Sequence, residues 1–217
     1  MLDLRGRSRV APILDPIAAG LAKAHLTPTM ITILGLLVTI GGAVLIAVDR
    51  YALGAFIAGV GTALDALDGP LARYLGTASI RGAFIDTMSD RFGEVALWAG
   101  LTFSLRGDET GLMLCVVALA FSLLTPYVRS KAESWGAEGR GGWMGRGERM
   151  ILMLLGLIFA GSGLNVLHPM LWTFVVLSGL TVAQRIRRTW QQLDEDDSAA
   201  PVDPDRAPDA ASGIEPQ

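Results

Sequence analysis

Six stretches of this chain, residues 30–48, 52–71, 83–105, 111–128, 150–164 and 169–186, are apolar over about the 20 residues that cross a bilayer as a helix. Backbone in lipid must satisfy its own hydrogen bonds, so a chain written this way folds as helices. The composition agrees. Of the 217 residues 51% are hydrophobic and 18% charged, and the mean hydropathy is +0.45, above what a soluble domain of this size needs for its core. The sequence predicts an all-α integral membrane protein with six transmembrane helices.

The basic residues sort to one side. Arg5, Arg7, Arg9 and Lys23 precede the first span, Arg73 and Arg81 lie in the second loop, and Arg129 through Arg149 fall in the fourth. Arg185, Arg187 and Arg188 end the sixth span, while the opposite side has Arg50 and Arg106. The positive-inside rule then puts both termini in the cytoplasm of a multi-pass protein of the cell membrane. Val10, Ile13, Leu14, Ile17 and Leu21 recur at helical spacing, as in an amphipathic juxtamembrane helix lying on the cytoplasmic surface or a helix folded back on the core. The charged N-terminus lacks the apolar core and cleavage site of a secretory signal.

The net charge of −3 hides an asymmetry. Residues 192–217 hold eight acids and one Arg, so the rest of the chain carries +4. That tail has too little apolar content to fold and reads as a disordered, solvated end. The chain thus divides into an N-terminal cytoplasmic segment (1–28), a six-helix membrane domain (29–191) and an acidic tail (192–217). The single cysteine, Cys115, excludes an intrachain disulfide and a cysteine zinc site.

Against this apolar background stand Asp65, Asp68, Asp86 and Asp90, in the second and third spans. One central Asp costs roughly 3 kcal/mol in a membrane, so four unpaired ones would cost on the order of 10 kcal/mol, a whole domain's stability. Asp65 and Asp68 are three apart and Asp86 and Asp90 four apart, so each pair shares a helix face near the cytoplasmic end of its span. Oxygen ligands without His or Cys suit Mg²⁺ or Mn²⁺, and two such ions about 4 Å apart would clamp a diphosphate. Gly69 and Gly82 would let a phosphate approach the backbone, or serve packing and a turn, and Arg73 could pair with a phosphate oxygen.

Asp65-Ala-Leu-Asp68-Gly69-Pro-Leu-Ala72-Arg73, eight residues, then Gly82-Ala-Phe-Ile-Asp86-Thr-Met-Ser-Asp90 matches every fixed position of the D-x-x-D-G-x-x-A-R, G-x-x-x-D-x-x-x-D signature. The chain resembles the CDP-alcohol phosphotransferase family in this motif and in its six-span plan. The resemblance implies a metal-dependent phosphatidyltransferase in which an acceptor hydroxyl attacks the β-phosphorus of a CDP-linked lipid and CMP leaves. It implies that Asp65, Asp68 and Asp86 mainly bind two divalent ions, and that Asp90 is the general base and possible further ligand. It also implies a CDP site that includes Thr29, Asp65, Asp68, Gly69, Arg73 and Gly82. Leu26-Thr27-Pro28-Thr29-Met-Ile-Thr32 resembles the family's entrance to the first span, with Thr29 in place of the usual Asn. As bare chemistry the same residues are a helix start, Thr27 capping and Pro28 at the first position.

Three or four cations facing a pocket would select a phosphate dianion, or simply set topology. Tyr127-Val-Arg129-Ser130-Lys131-Ala-Glu133, Glu148-Arg149, Gln184-Arg185, and Asp90-Arg91 with Glu94 resemble the actinobacterial phosphatidylinositol phosphate synthase branch of the family. That resemblance implies CDP-diacylglycerol as donor and inositol phosphate as acceptor, a homodimer in membrane lipid, and no nucleic-acid partner. Arg129, Lys131, Arg146, Arg149 and Arg185 are then candidate ligands of the acceptor phosphate. Phosphatidylglycerophosphate synthesis from glycerol 3-phosphate is the alternative within the class. A divalent-cation or proton transporter is the alternative outside it, although transporter acids belong at mid-membrane between repeated halves, and these crowd one end without a repeat.

Overall fold

The computed structural model describes residues 16–199, which form helices and short connections. Helix α1 spans residues 16–23, followed by α2 (Pro28–Ala47), α3 (Tyr51–Asp65), α4 (Asp68–Tyr74), α5 (Ile80–Ser104), α6 (Glu109–Ser134), α7 (Arg146–Gly161) and α8 (Leu167–Ala199). Ile17 and Leu21 lie on α1, whereas Val10, Ile13, Leu14 and the arginines of the N-terminus lie outside the described residues. Among the described residues, four helical stretches are long and apolar enough to cross a membrane: Pro28–Ala47, Tyr51–Tyr74, Glu109–Ser134 and Leu167–Glu195. The other two expected spans differ for plain reasons. The stretch of α5 from Ile80 to Glu94 carries Arg81, Asp86, Asp90, Arg91 and Glu94, and α7 has 16 residues, a length of about 24 Å at 1.5 Å per residue.

The second expected span, read as one helix over 52–71, is broken. α3 ends at Asp65 and α4 begins at Asp68, with a turn at Ala66 and Leu67. Pro70 supplies the cause, since it has no N–H to give the Ala66 carbonyl and its ring collides with that carbonyl. Ala66 and Leu67 nevertheless keep αR backbone (φ −60°, ψ −11° and φ −88°, ψ −14°). The break therefore bends the chain without turning the two aspartates apart.

Helix α2 lies between α3 and α5. Its start follows from Thr27, whose hydroxyl accepts from the Met30 N–H at 3.3 Å, and from Pro28 in the first turn. The reversal into α3 puts Asp49 at φ +64°, and Ser104 at the end of α5 donates to Asp49 Oδ1 at 2.5 Å. Close approach of α2 and α3 requires Gly35: a β-carbon there would lie 2.8 Å from the Gly61 carbonyl oxygen and 3.0 Å from the Asp65 nitrogen. The core continues through Trp98 of α5, which meets Phe174 of α8 edge to face with ring centroids 4.7 Å apart.

The loop between α6 and α7 is fastened along α8. Met144 N–H donates to Thr181 Oγ1 at 3.0 Å, Arg185 Nε to the Gly141 carbonyl at 2.8 Å, and Glu138 N–H to Gln192 Oε1 at 2.7 Å. Gln192 Nε2 answers with a 3.3 Å bond to the Glu138 carbonyl. This clasp corrects the expectation that the chain loses structure from Gln192. α8 continues to Ala199, because Gln191, Gln192 and Leu193 are good helix formers and Gln192 has a tertiary partner. The rest of the acidic tail, 200–217, lies outside the described residues.

Candidate active site

Three elements bring the aspartates together. Asp65 closes α3, Asp68 opens α4, and Asp86 stands on the second turn of α5, whose start is fixed by Ser79 accepting from the Gly82 N–H at 3.1 Å. One carboxylate oxygen from each of Asp65, Asp68 and Asp86 lies within 4.8 Å of the other two. Thr32 of α2 donates a 2.6 Å hydrogen bond to Asp68 Oδ2. Asp65 Oδ1 is buried and has no hydrogen-bond partner. An orphaned carboxylate oxygen beside two more carboxylates is an arrangement that a hard divalent cation completes, so the residues fit the Mg²⁺ or Mn²⁺ that the sequence predicts.

Beside this triad opens a cleft of about 610 Å³. Its wall includes Thr29, Asp68, Gly69, Arg73, Gly82 and Asp86, so five of the six residues expected to hold CDP line it. Thr27 at the cap of α2, Thr32 of α2, Thr77 and Ser79 ahead of α5, and Arg81 of α5 complete the polar part of that wall. Asp65 instead faces a small cavity on the inner side, shared with Thr39, Thr62, Ser89, Asp90 and Arg146. Open space surrounds Gly69 apart from Arg73 Nη1, 3.4 Å from where a β-carbon would stand.

Asp90, one turn after Asp86, is outside the triad and among cations. Arg146 at the start of α7 pairs with Asp90 Oδ1, and Arg91 Nη2 lies 3.9 Å from Asp90 Oδ2. Arg91 Nη1 also donates to Glu94 Oε2 at 2.7 Å, and the other oxygen of Glu94 is 3.4 Å from Arg149 Nη2. Glu94 and Arg149 are each 2% exposed in their side chains. A buried pair of this kind holds only while both partners remain.

The five cations expected at the acceptor phosphate have separate positions. Arg146 touches Asp90, while Arg149 lies behind it, buried against Glu94. Arg185 gives Nε to the Gly141 carbonyl and Nη1 to the Thr125 carbonyl, both at 2.8 Å. Arg129 pairs with Glu133 at 2.8 Å, and Lys131 lies over the Trp135 ring at 4.9 Å. Sequence reasoning assigned no role to Thr32, Arg91 or Glu94. The available signal was an Arg and a Glu three apart inside an apolar span, where an acid needs a partner.

Residues 25–183 match the family of CDP-alcohol phosphatidyltransferases. The chain is 31% identical over 218 residues to the phosphatidylinositol phosphate synthase of Mycobacterium marinum, covering 94% of this chain and 91% of that one. It is 32% identical over 198 residues to the Mycobacterium tuberculosis enzyme of the same name, covering 87% and 91%. The crystal structure of the M. tuberculosis enzyme with CDP-DAG bound superposes with a TM-score of 0.77 at 30% identity, over 82% of this chain and 94% of that one. The structure of that enzyme with manganese and citrate gives the same score and identity, over 82% and 88%.

Proposed function

The chain belongs to the CDP-alcohol phosphatidyltransferase family, and from that premise we propose that it transfers a phosphatidyl group from CDP-diacylglycerol to inositol phosphate, releasing CMP and phosphatidylinositol phosphate. The observation that carries this reading is the convergence of Asp65, Asp68 and Asp86 beside a cleft lined by Thr29, Gly69, Arg73 and Gly82. A diphosphate needs positive charge at one end and close backbone approach along its length, and these residues supply the places for both. The M. tuberculosis relative, crystallised with CDP-DAG and separately with manganese, supports the same donor and a divalent ion here.

Asp65, Asp68 and Asp86 would hold one or two Mg²⁺ or Mn²⁺ ions, with Asp90 as a further ligand. When bound, the cations supply charge that neutralises the diphosphate. Arg73 binds a phosphate oxygen from the cleft wall, and Thr29 and Gly82 border the nucleotide. The acceptor hydroxyl bonds to the β-phosphorus, its proton passes to Asp90, and the bond from that phosphorus to CMP breaks. Asp90 serves as the base through its position. Of Arg129, Lys131, Arg146, Arg149 and Arg185, the five candidate ligands of the acceptor phosphate, Arg146 is the one in contact with Asp90, and Arg149 supports the site from behind, against Glu94.

The same reading assigns the chain six membrane spans, a juxtamembrane helix, a cytoplasmic active site in the cell membrane, and a homodimeric state. Charge asymmetry between the two ends and the family resemblance support it. The direct test is CMP release by purified protein with CDP-diacylglycerol and Mg²⁺ or Mn²⁺, comparing inositol phosphate, free inositol, glycerol 3-phosphate and serine. Inositol phosphate should give the fastest release, and Asp90→Asn should abolish it while nucleotide binding persists. Retained turnover in Asp90→Asn would remove Asp90 from the base role.

A further inference from the structure

We propose that Arg146 is an acceptor sensor: it covers Asp90 until the phosphate of an incoming acceptor draws its guanidinium away, so that Asp90 meets a hydroxyl only when a phosphorylated alcohol is bound. The proposal rests on the reading of Asp90 as the base and adds to it the timing of that base.

Three arginines surround Asp90 and Glu94, and two of them are committed. Arg149 is buried, with its guanidinium against an equally buried Glu94. Arg91 gives its shorter contact, 2.7 Å, to Glu94 and stands 3.9 Å from Asp90. Arg146 differs from both in exposure and in partner. Its side chain is 35% exposed, against 20% for Arg91 and 2% for Arg149, and its charged contact is Asp90 itself. A guanidinium offers five donors in a planar fork, and the contact with Asp90 leaves part of the Arg146 fork unused.

The backbone favours movement at the same point. Arg146 is the first residue of α7, after Gly145 in extended conformation and with no side-chain cap. Gly147 follows with nothing near the place of a β-carbon. A phosphate dianion offers three oxygens and about twice the charge of a carboxylate, so it competes for this fork by bidentate, charge-assisted bonds. Arg91 cannot take over the covered position without leaving Glu94, nor can Arg149.

The arrangement protects the lipid donor. Water is always available to a cytoplasm-facing site, and an uncovered base beside a bound CDP lipid would hydrolyse it. In that side reaction the water oxygen bonds to the β-phosphorus, its proton passes to Asp90, the bond to CMP breaks, and CMP and a phosphatidic acid leave. Keeping the base paired until the acceptor arrives suppresses this leak, as other enzymes do by excluding water.

The test is CMP release from CDP-diacylglycerol by wild type, Arg146→Gln and Arg146→Lys, each with no acceptor, with free inositol and with inositol phosphate. Wild type should release CMP quickly only with the phosphorylated acceptor. Arg146→Gln should raise acceptor-free release by severalfold over wild type while losing about tenfold with inositol phosphate, the worth of one charge-assisted bond. Arg146→Lys should rise less, and it carries the test should the Gln variant not fold. In an Arg146→Gln/Asp90→Asn double variant the acceptor-free release should fall back to the wild-type level or below. No rise in either single variant, or a rise that survives Asp90→Asn, overturns the proposal. Because masking is judged on water alone, a wild type that prefers glycerol 3-phosphate would overturn the acceptor reading and leave the sensor standing.

Discussion

The Thr32 hydroxyl of α2 donates a 2.6 Å hydrogen bond to Asp68 Oδ2 at the first residue of α4. The Thr32 Oγ1 also lies 3.1 Å from the Pro28 carbonyl, but one hydroxyl proton serves one acceptor at full strength, and the charged, shorter partner takes it. Asp68 is thereby held in place beside Asp65 and Asp86. A donor that holds a metal-binding carboxylate in place is worth roughly 10- to 100-fold in metal affinity. Thr32→Val should therefore weaken Mn²⁺ binding, followed by electron paramagnetic resonance titration without lipid, by about tenfold. Thr32→Ser should restore it. Equal affinity in the Val variant would mean that Asp68 needs no such support.

Glu94 and Arg149 test a different kind of dependence. Each is almost completely buried, so losing Glu94 leaves the Arg149 guanidinium out of water, without a counter-charge and with only a 3.5 Å contact to the Met144 carbonyl. Glu94→Leu should cost about 3–5 kcal/mol, seen as a lower thermal midpoint in detergent. Adding Arg149→Met should return most of that stability, since two apolar side chains of similar volume replace the pair. A Glu94→Leu protein as stable as wild type would show that the pair does not hold α5 to α7.

What could be read from the sequence was whatever depends on short spacing. Asp65, Asp68, Asp86 and Asp90 were recognisable because helical periodicity alone puts each pair on one side, and Thr27-Pro28 announces a helix start by local chemistry. The contacts that were hidden span long separations. Thr32 and Asp68 are 36 residues apart, and Glu94 and Arg149 are 55. Arg185 looked like one more cation at a span's end, yet its donors go to the Thr125 and Gly141 carbonyls. Pro70 sat in an apolar run that looked continuous, and only the break after Asp65 shows its effect. The length of α8 was hidden for the same reason, since Gln192 is held by a loop that folds back from Glu138.

Removal of divalent cations should stop CMP release completely, and replacing Mg²⁺ or Mn²⁺ should restore it. Asp86→Asn keeps the shape of the site and removes one of its three close carboxylates. Its activity should return only at raised metal concentration, with the saturating rate measured against wild type. Undiminished turnover in excess chelator would exclude the triad as the essential metal site.

Gly35 shows that a residue with no chemistry can set the site. A β-carbon at this position meets the Gly61 carbonyl at 2.8 Å and the Asp65 nitrogen and β-carbon at 3.0 and 3.1 Å. The first two are backbone atoms of a packed helix, so they cannot swing aside as a side-chain tip would, and α3 must move as a body. Overpacking of this sort costs about 1–3 kcal/mol in stability. The larger effect should be on function, because the displaced residue is Asp65 and a misplacement near 1 Å can cost on the order of 100-fold in rate. Gly41, on the same helix, has nothing within 4 Å of a built β-carbon. Gly41→Ala should therefore raise helix stability slightly and leave CMP release unchanged. Gly35→Ala should lose Mn²⁺ affinity and turnover together while the helical circular dichroism signal persists. Equal behaviour of the two variants would show that the α2–α3 contact does not position Asp65.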